Sequence, residues 1–233
     1  MFHSSEVGKF DEKETKLQHP FSLILSGPRR AGKTQFMKKL ILNAKEKIYP
    51  PIEQVVWFYA TEQTDVFIEI RKSLGKENVT FVKGLPKNTT IEEDYIEGRP
   101  GPKLIVIDDL MSEANTREDV NQLFTRGRHL DTSIAFLVQN FHNKGKYMRE
   151  NTLNADYLAL FKNPRDATLI SYLAQQMGQR KLVMDAFRLA TDDKEFTYLF
   201  VDLRSDTDDR LRLRSDILSS HQRVFLDSSK TYK

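Results

Sequence analysis

The residues Gly27-x-x-x-x-Gly32-Lys33-Thr34, inside the stretch SGPRRAGKT, are of the types that wrap a chain of phosphates. Glycines let the backbone turn its N–H groups inward around an anion. Lys33 would reach the β- and γ-phosphates of a nucleotide, and the Thr34 hydroxyl would hold Mg²⁺. Pro28, Arg29, Arg30 and Ala31 fill the loop, and Gln35 follows it, so residues 27–35 form the candidate nucleotide-binding segment. A short apolar run, Phe21–Leu25, precedes it. A run with helical spacing follows, with Phe36, Met37, Leu40, Ile41 and Ala44 on one face. Strand, loop and helix is the order such a motif needs, because the helix points its positive dipole end at the phosphates. Arg29 and Arg30 would touch phosphates or face solvent.

A phosphate-binding loop of this kind works with a metal-holding acid on a nearby strand. The run LIVIDDL, Leu104–Leu110, supplies two. Asp108, at the strand's C-terminal end, would bind Mg²⁺ directly or through water. Asp109 would polarise an attacking water as general base. Gln139 ends another apolar run, SIAFLVQN, which is expected to lie beside LIVIDD. Its amide would touch the γ-phosphate and register its loss, or else satisfy a backbone group. The segment Asn143-Lys144-Gly145-Lys146 lacks the final Asp of a guanine reader, which disfavours a GTP switch. His129 and His142 have no metal-ligand spacing, so no zinc centre is expected.

The elements that must position these groups alternate along the chain. Strands are predicted at 21–25, 55–59, 79–82, 104–107, 133–138 and 157–161, with edge strands at 197–201 and 211–214. Helices are predicted at 34–48, 65–74 and 116–128, and one long helix or two at 167–189 with an interruption near Gly178. Residues 83–102 read as a surface loop. This alternation predicts an α/β fold with a mostly parallel, doubly wound sheet, and the glycine-rich loop makes it of the P-loop NTPase type. Residues 1–20 read as a flexible arm with one short helix, 21–214 as the ATPase domain, and 215–233 as a polar tail.

Composition narrows the class. The 233 residues are 39% hydrophobic and 30% charged, enough for one large domain with a core. No apolar stretch is long enough to span a membrane or to act as a signal peptide, so an intracellular setting is expected. With no cysteine, disulfides and cysteine-based zinc sites or nucleophiles are excluded. A net charge of +3 neither demands nor forbids nucleic acid.

Residues 18–180 also carry a resemblance, in QHPFSLILSGPRRAGKT, LIVIDDLM, LFTRGRH, FLVQN, KGKYMR, TLNA and LFKNPRD. In order, they resemble the genome-packaging ATPases of viruses and virus-like transposons. These are the poxvirus-type ATPases and their Polinton/Maverick and adintovirus relatives, within the FtsK/HerA class. The resemblance implies a homo-oligomeric ring, usually a hexamer. Such a ring hydrolyses ATP between subunits, with Mg²⁺, and drives double-stranded DNA into a preformed capsid. A capsid or portal protein would be a partner, and the setting would be the nucleus or cytoplasm of a host cell, or the virion. It makes Gly27, Gly32, Lys33 and Thr34 the Walker A residues, Asp108 and Asp109 Walker B, and Gln139 the sensor. Arg149 or Arg165 would be the finger acting on the neighbouring subunit's nucleotide. Lys144 and Lys146 would face DNA or solvent. Two departures stand out. Asp109 replaces the glutamate common in the wider class, and Asp131 stands where an arginine is expected, which counts against Arg126 or Arg128 as the finger. The alternatives are a helicase-like or recombination ATPase, and a nucleotide-binding structural module that does not hydrolyse.

Overall fold

The computed structural model describes residues 2–6, 12–139, 154–163, 167–192 and 196–227. Strand β1 is Phe2–Glu6, and β2, Ser22–Ser26, leads into the glycine-rich loop and helix α1, Lys33–Leu42. Next come β3 (Gln54–Tyr59), α2 (Thr64–Leu74), β4 (Val79–Lys83) and β5 (Lys103–Asp108). Helix α3, Glu118–Arg126, precedes β6, Thr132–Val138, and then β7, Tyr157–Phe161. Helices α4 (Ala167–Gln176) and α5 (Arg180–Thr191) lead to β8 (Tyr198–Asp202), β9 (Leu213–Ser215) and β10 (Arg223–Asp227).

These ten strands form one sheet in the order β1-β10-β9-β8-β7-β2-β6-β5-β3-β4, and a separate two-stranded parallel sheet pairs Leu17–Gln18 with Ile48–Tyr49. From β7 to β4 the neighbours are parallel; from β7 to β1 they are antiparallel. The fold is therefore α/β with a mostly parallel sheet, as the alternation of apolar runs predicts. The central strands are buried on both faces, which is why their sequences are nearly unbroken apolar runs. Leu23, Leu25, Val106 and Leu137 face α1 and α2, packing on Phe36, Met37, Leu40 and Phe67. Ile24, Ile105, Ile107 and Phe136 face the other way, onto Leu123 and Phe124 of α3 and onto α4 and α5. Each such side chain contributes about 1.5–3 kcal/mol by leaving water.

Several elements differ from the sequence reading. The helix expected at 34–48 breaks at Asn43, whose amide side chain donates to the Lys39 carbonyl at 2.8 Å and so competes with the helix ladder. The expected loop at 83–102 contains a helical turn, Ile91–Tyr95, started by a capping box between Thr90 and Glu93. The 167–189 region is two helices, parted at Gly178 with φ of 65°. The strands expected at an edge, β8 and β9, are interior, because β10 and β1 continue the sheet beyond them. Those two strands lie in the segments read as arm and tail; their pairing runs Phe2↔Asp227 to Glu6↔Arg223, a long-range contact that local composition does not show.

The antiparallel half carries a buried charge. Arg214 is fully buried, lies 3.6 Å from Asp202 and donates to the Thr15 carbonyl at 2.8 Å. Asp202 also accepts from Thr207 at 2.8 Å and from Arg204 Nε at 3.2 Å. Removing one partner of a buried pair strands the other charge. Asp202→Ala is expected to cost about 3–5 kcal/mol in a urea titration; a loss below about 1 kcal/mol would show that the pair carries little weight.

Candidate phosphate-binding site

The glycine-rich loop leaves the C-terminal end of β2, where the parallel strands open to solvent. Gly27 needs to be glycine because a Cβ there would sit 2.6 Å from Cβ of Phe161 on β7. Gly32 has φ of 98°, a left-handed conformation that side chains resist, and its carbonyl accepts from Phe36 N at 2.8 Å to start α1. Between them Arg29 and Arg30 are exposed, and Arg30 is also left-handed, with φ of 64°. Arg30, Ala31, Gly32, Lys33, Thr34 and Gln35 line a cleft of about 340 Å³. Gly27, Pro28 and Arg29 belong to the loop but not to that lining.

Strand β6 lies between β2 and β5 and brings the acids to the loop. The Gly27 N–H donates to the Val138 carbonyl at 3.2 Å, and the Asp109 N–H to the Leu137 carbonyl at 3.2 Å. The loop and the acid pair are thus fixed to consecutive residues of one strand. Asp108 shares a face with Leu104 and Val106 by strand alternation, so its carboxylate points to the α1 side. Its Oδ2 accepts from the Thr34 hydroxyl at 3.4 Å. Lys33 Nζ donates to the carbonyls of Gly27, at 2.6 Å, and Pro28, at 2.9 Å. The lysine, the hydroxyl and the carboxylate predicted from sequence therefore stand together.

Burial sets the electrostatics. It pushes the Asp108 carboxyl up from its ordinary 3.8 to about 6, against the pull of Lys33; the Asp109 charge adds to the rise. Burial likewise lowers the Lys33 ammonium, while Asp108 and Asp109 draw it back up. Both groups are held where charge is costly, and a ligand that brings phosphates and a cation would relieve both.

Asp109 is exposed, with φ of 58°. Gln139 Nε2 donates to both of its oxygens, at 2.6 and 2.9 Å. The sequence reading aimed this amide at a γ-phosphate; the structure places it on the carboxylate expected to act as base, where it fixes the orientation. Two residues at the cleft escaped the sequence reading. Gln63, just past the end of β3, donates to Thr34 Oγ1 at 3.1 Å, and Phe196 lines the cleft above Gly32. Gln63 follows the strand beside β5, so strand order could have flagged it. No spacing connects Phe196 to the loop.

Other predicted groups lie elsewhere. Arg128 pairs with Asp156 at 2.7 Å at the opposite end of the sheet. There a larger cleft, of about 570 Å³, opens beside His19, Arg128 and Arg204. Asp131, which replaces an expected arginine, accepts from His19 Nε2 at 3.0 Å. Arg149, Arg165, Lys144, Lys146 and His142 lie outside the described residues. Among the described residues no cluster of three or more His, Cys, Asp or Glu could hold a metal alone. The donors near Thr34 are a hydroxyl and a carboxylate, hard oxygen ligands that suit Mg²⁺ shared with phosphates.

The raised Asp108 carboxyl has a stability consequence. The folded chain holds this proton more tightly than the unfolded chain, so folding stability falls as pH rises from about 4 to about 6 and stays reduced above that. Asp108→Asn is expected to raise stability at pH 7 by about 2–3 kcal/mol in the absence of nucleotide and Mg²⁺, and to flatten that slope. Thermal melts across pH 4–8 test this; an unchanged or lower melting temperature at pH 7 would refute it.

Comparison with known proteins agrees with the motifs. Residues 8–198 match the family model described as "Poxvirus A32 protein". No curated protein sequence matches the chain. Among solved structures, it is similar to the genome packaging NTPase B204 from Sulfolobus turreted icosahedral virus 2, in complex with ATP-gammaS. The TM-score there is 0.48 and the identity 13%, covering 80% of this chain and 94% of that one. It is also similar to flagellar accessory protein FlaH from Methanocaldococcus jannaschii, at TM-score 0.44 and 14% identity, covering 67% and 80%. A KaiC-like protein from Pyrococcus horikoshii OT3 gives 0.41 and 18%, covering 60% and 70%. The family match spans the loop, both acids and Gln139, and by it the chain belongs to the Poxvirus A32 protein family, the poxvirus genome-packaging ATPases.

Proposed function

We propose that this chain is an ATP-hydrolysing motor, acting as a ring of like subunits, that drives double-stranded viral DNA into a capsid inside the host cell. The observation that carries the reading is that Lys33 and Thr34 line one cleft, that Asp108 accepts from the Thr34 hydroxyl, and that the Asp109–Gln139 pair follows directly on Asp108. Membership of the packaging family supplies the biological direction.

The residues divide the work. The loop N–H groups and the start of α1 bind the phosphates through dipoles already in place. Lys33 exchanges the Gly27 and Pro28 carbonyls for phosphate oxygens and offsets the charge that builds on the transferred group. Thr34 and Asp108 would hold Mg²⁺, which when bound would draw charge from the phosphate oxygens. Asp109, oriented by Gln139, accepts the proton of the attacking water. The bond from γ-phosphorus to the bridging oxygen breaks as the water oxygen bonds to phosphorus, giving ADP and inorganic phosphate. A trans arginine, Arg149 or Arg165, completes charge neutralisation from the next subunit. Among the described residues no helix is long and apolar enough to cross a membrane.

Steady-state ATP hydrolysis with and without duplex DNA tests this reading. Turnover should rise with duplex DNA, and Lys33→Ala should lower it by about 100-fold or more. Asp109→Asn should lower turnover by about 100-fold or more while ATP affinity stays within about threefold, since the base acts in the chemical step. Gln139→Ala should give a smaller loss, about tenfold, because it orients the base and does not replace it. ATP binding with no turnover under any of these conditions would sink the motor reading and favour a structural module; strand separation on a forked duplex would favour a helicase.

A further inference from the structure

Phe196 is the most exposed large apolar side chain among the described residues, at 62%. Its backbone is left-handed, with φ of 62°, a conformation that costs a non-glycine residue about 1–2 kcal/mol. An exposed aromatic ring in a strained backbone gains nothing from burial, so another contact is needed to explain it. Its surroundings point to one. The ring stands over the glycine-rich loop, close enough that a Cβ on Gly32 would meet Phe196 Cδ1 at 3.0 Å. It lines the same cleft as Lys33, Thr34 and Gln63. The backbone behind it is anchored, because Tyr198, two residues on, packs edge-on against Phe36 at 4.9 Å and at a tilt against Phe161 at 5.3 Å.

Sheet order gives the direction. The acids reach the loop from β5, across β6. Phe196 reaches it from the start of β8, across β7, on the opposite side of β2. A nucleotide whose γ-phosphate lies toward Asp108 and Asp109 must run its other end toward Phe196. We propose that Phe196 is a nucleobase platform: the face of its ring stacks on the base of the nucleotide whose phosphates the loop holds. This rests on the ATP-site reading. Every base has a π face, so a lone ring strengthens binding of ATP, GTP and CTP alike and does not choose between them.

The test compares ATP with inorganic tripolyphosphate, which carries the phosphates but no base, each with Mg²⁺, by calorimetry on the full chain. Phe196→Ala should weaken ATP by about 5- to 100-fold and leave tripolyphosphate within about twofold. Phe196→Tyr should restore ATP affinity, whereas Phe196→Leu, apolar but without a π face, should not. Equal losses for ATP and tripolyphosphate would mean that Phe196 only shapes the loop through Gly32, and would overturn the proposal. So would rescue by Phe196→Leu, or no loss in Phe196→Ala. A wild type that binds neither ligand would instead overturn the phosphate-site reading itself, and the stacking with it.

Discussion

The site hangs on the middle strand of three. Strand β6 pairs in parallel with β2 on one side, Ser26 opposite Val138, and with β5 on the other, Asp108 opposite Leu137. The carbonyls of Leu137 and Val138 then receive the N–H groups of Asp109 and Gly27. Loop and acids therefore leave the sheet from neighbouring points at one height. A one-residue slip of β5 against β6 would turn Asp108 away from α1 and into the opposite core layer. That register is enforced by burial on both faces, since Ile134, Phe136 and Val138 face one layer while Ala135 and Leu137 face the other.

Within that frame the site holds charge at a cost. A carboxylate and an ammonium that burial pushes toward neutrality stand beside each other, and two residues nearby, Arg30 and Asp109, have left-handed backbones. The sheet and its two apolar layers are stable enough to hold them so. Dipoles and charges fixed in advance need little reorganisation when the reacting phosphate arrives. These costs lower the stability of the empty site, a common relation between function and stability.

How much of this could be read from the sequence follows from the range of the interactions. Phosphate loop, paired acids and central strands were legible because each is set by a few consecutive residues and by period-two or helical apolar spacing. That Gln139 lies near the acids was legible too, from the matching ends of two apolar runs. Its bond to the Asp109 carboxylate was not, because amide orientation depends on where the neighbouring strand ends. The interior position of β8 and β9 was missed because the outer strands, β10 and β1, come from opposite ends of the chain. Phe196 was missed for the same reason: its neighbour Gly32 is close only after five strands of the sheet, β3 to β7, have been laid between them in sequence.

The antiparallel extension also bears on the site. Strand β8 pairs with β7 over five residues, and β7 pairs with β2, the strand that launches the loop. Phe161 on β7 sets how close Gly27 can approach, and Tyr198 on β8 packs on Phe36 of α1. At the far end of β8, Asp202 and the buried Arg214 tie β8, β9 and the carbonyl of Thr15 together. Thr15 lies seven residues ahead of β2. The buried ion pair thus braces both the strand that Phe196 leads into and the segment that feeds the loop strand. Breaking the pair would loosen both at once, because the charge left alone could no longer stay buried between them.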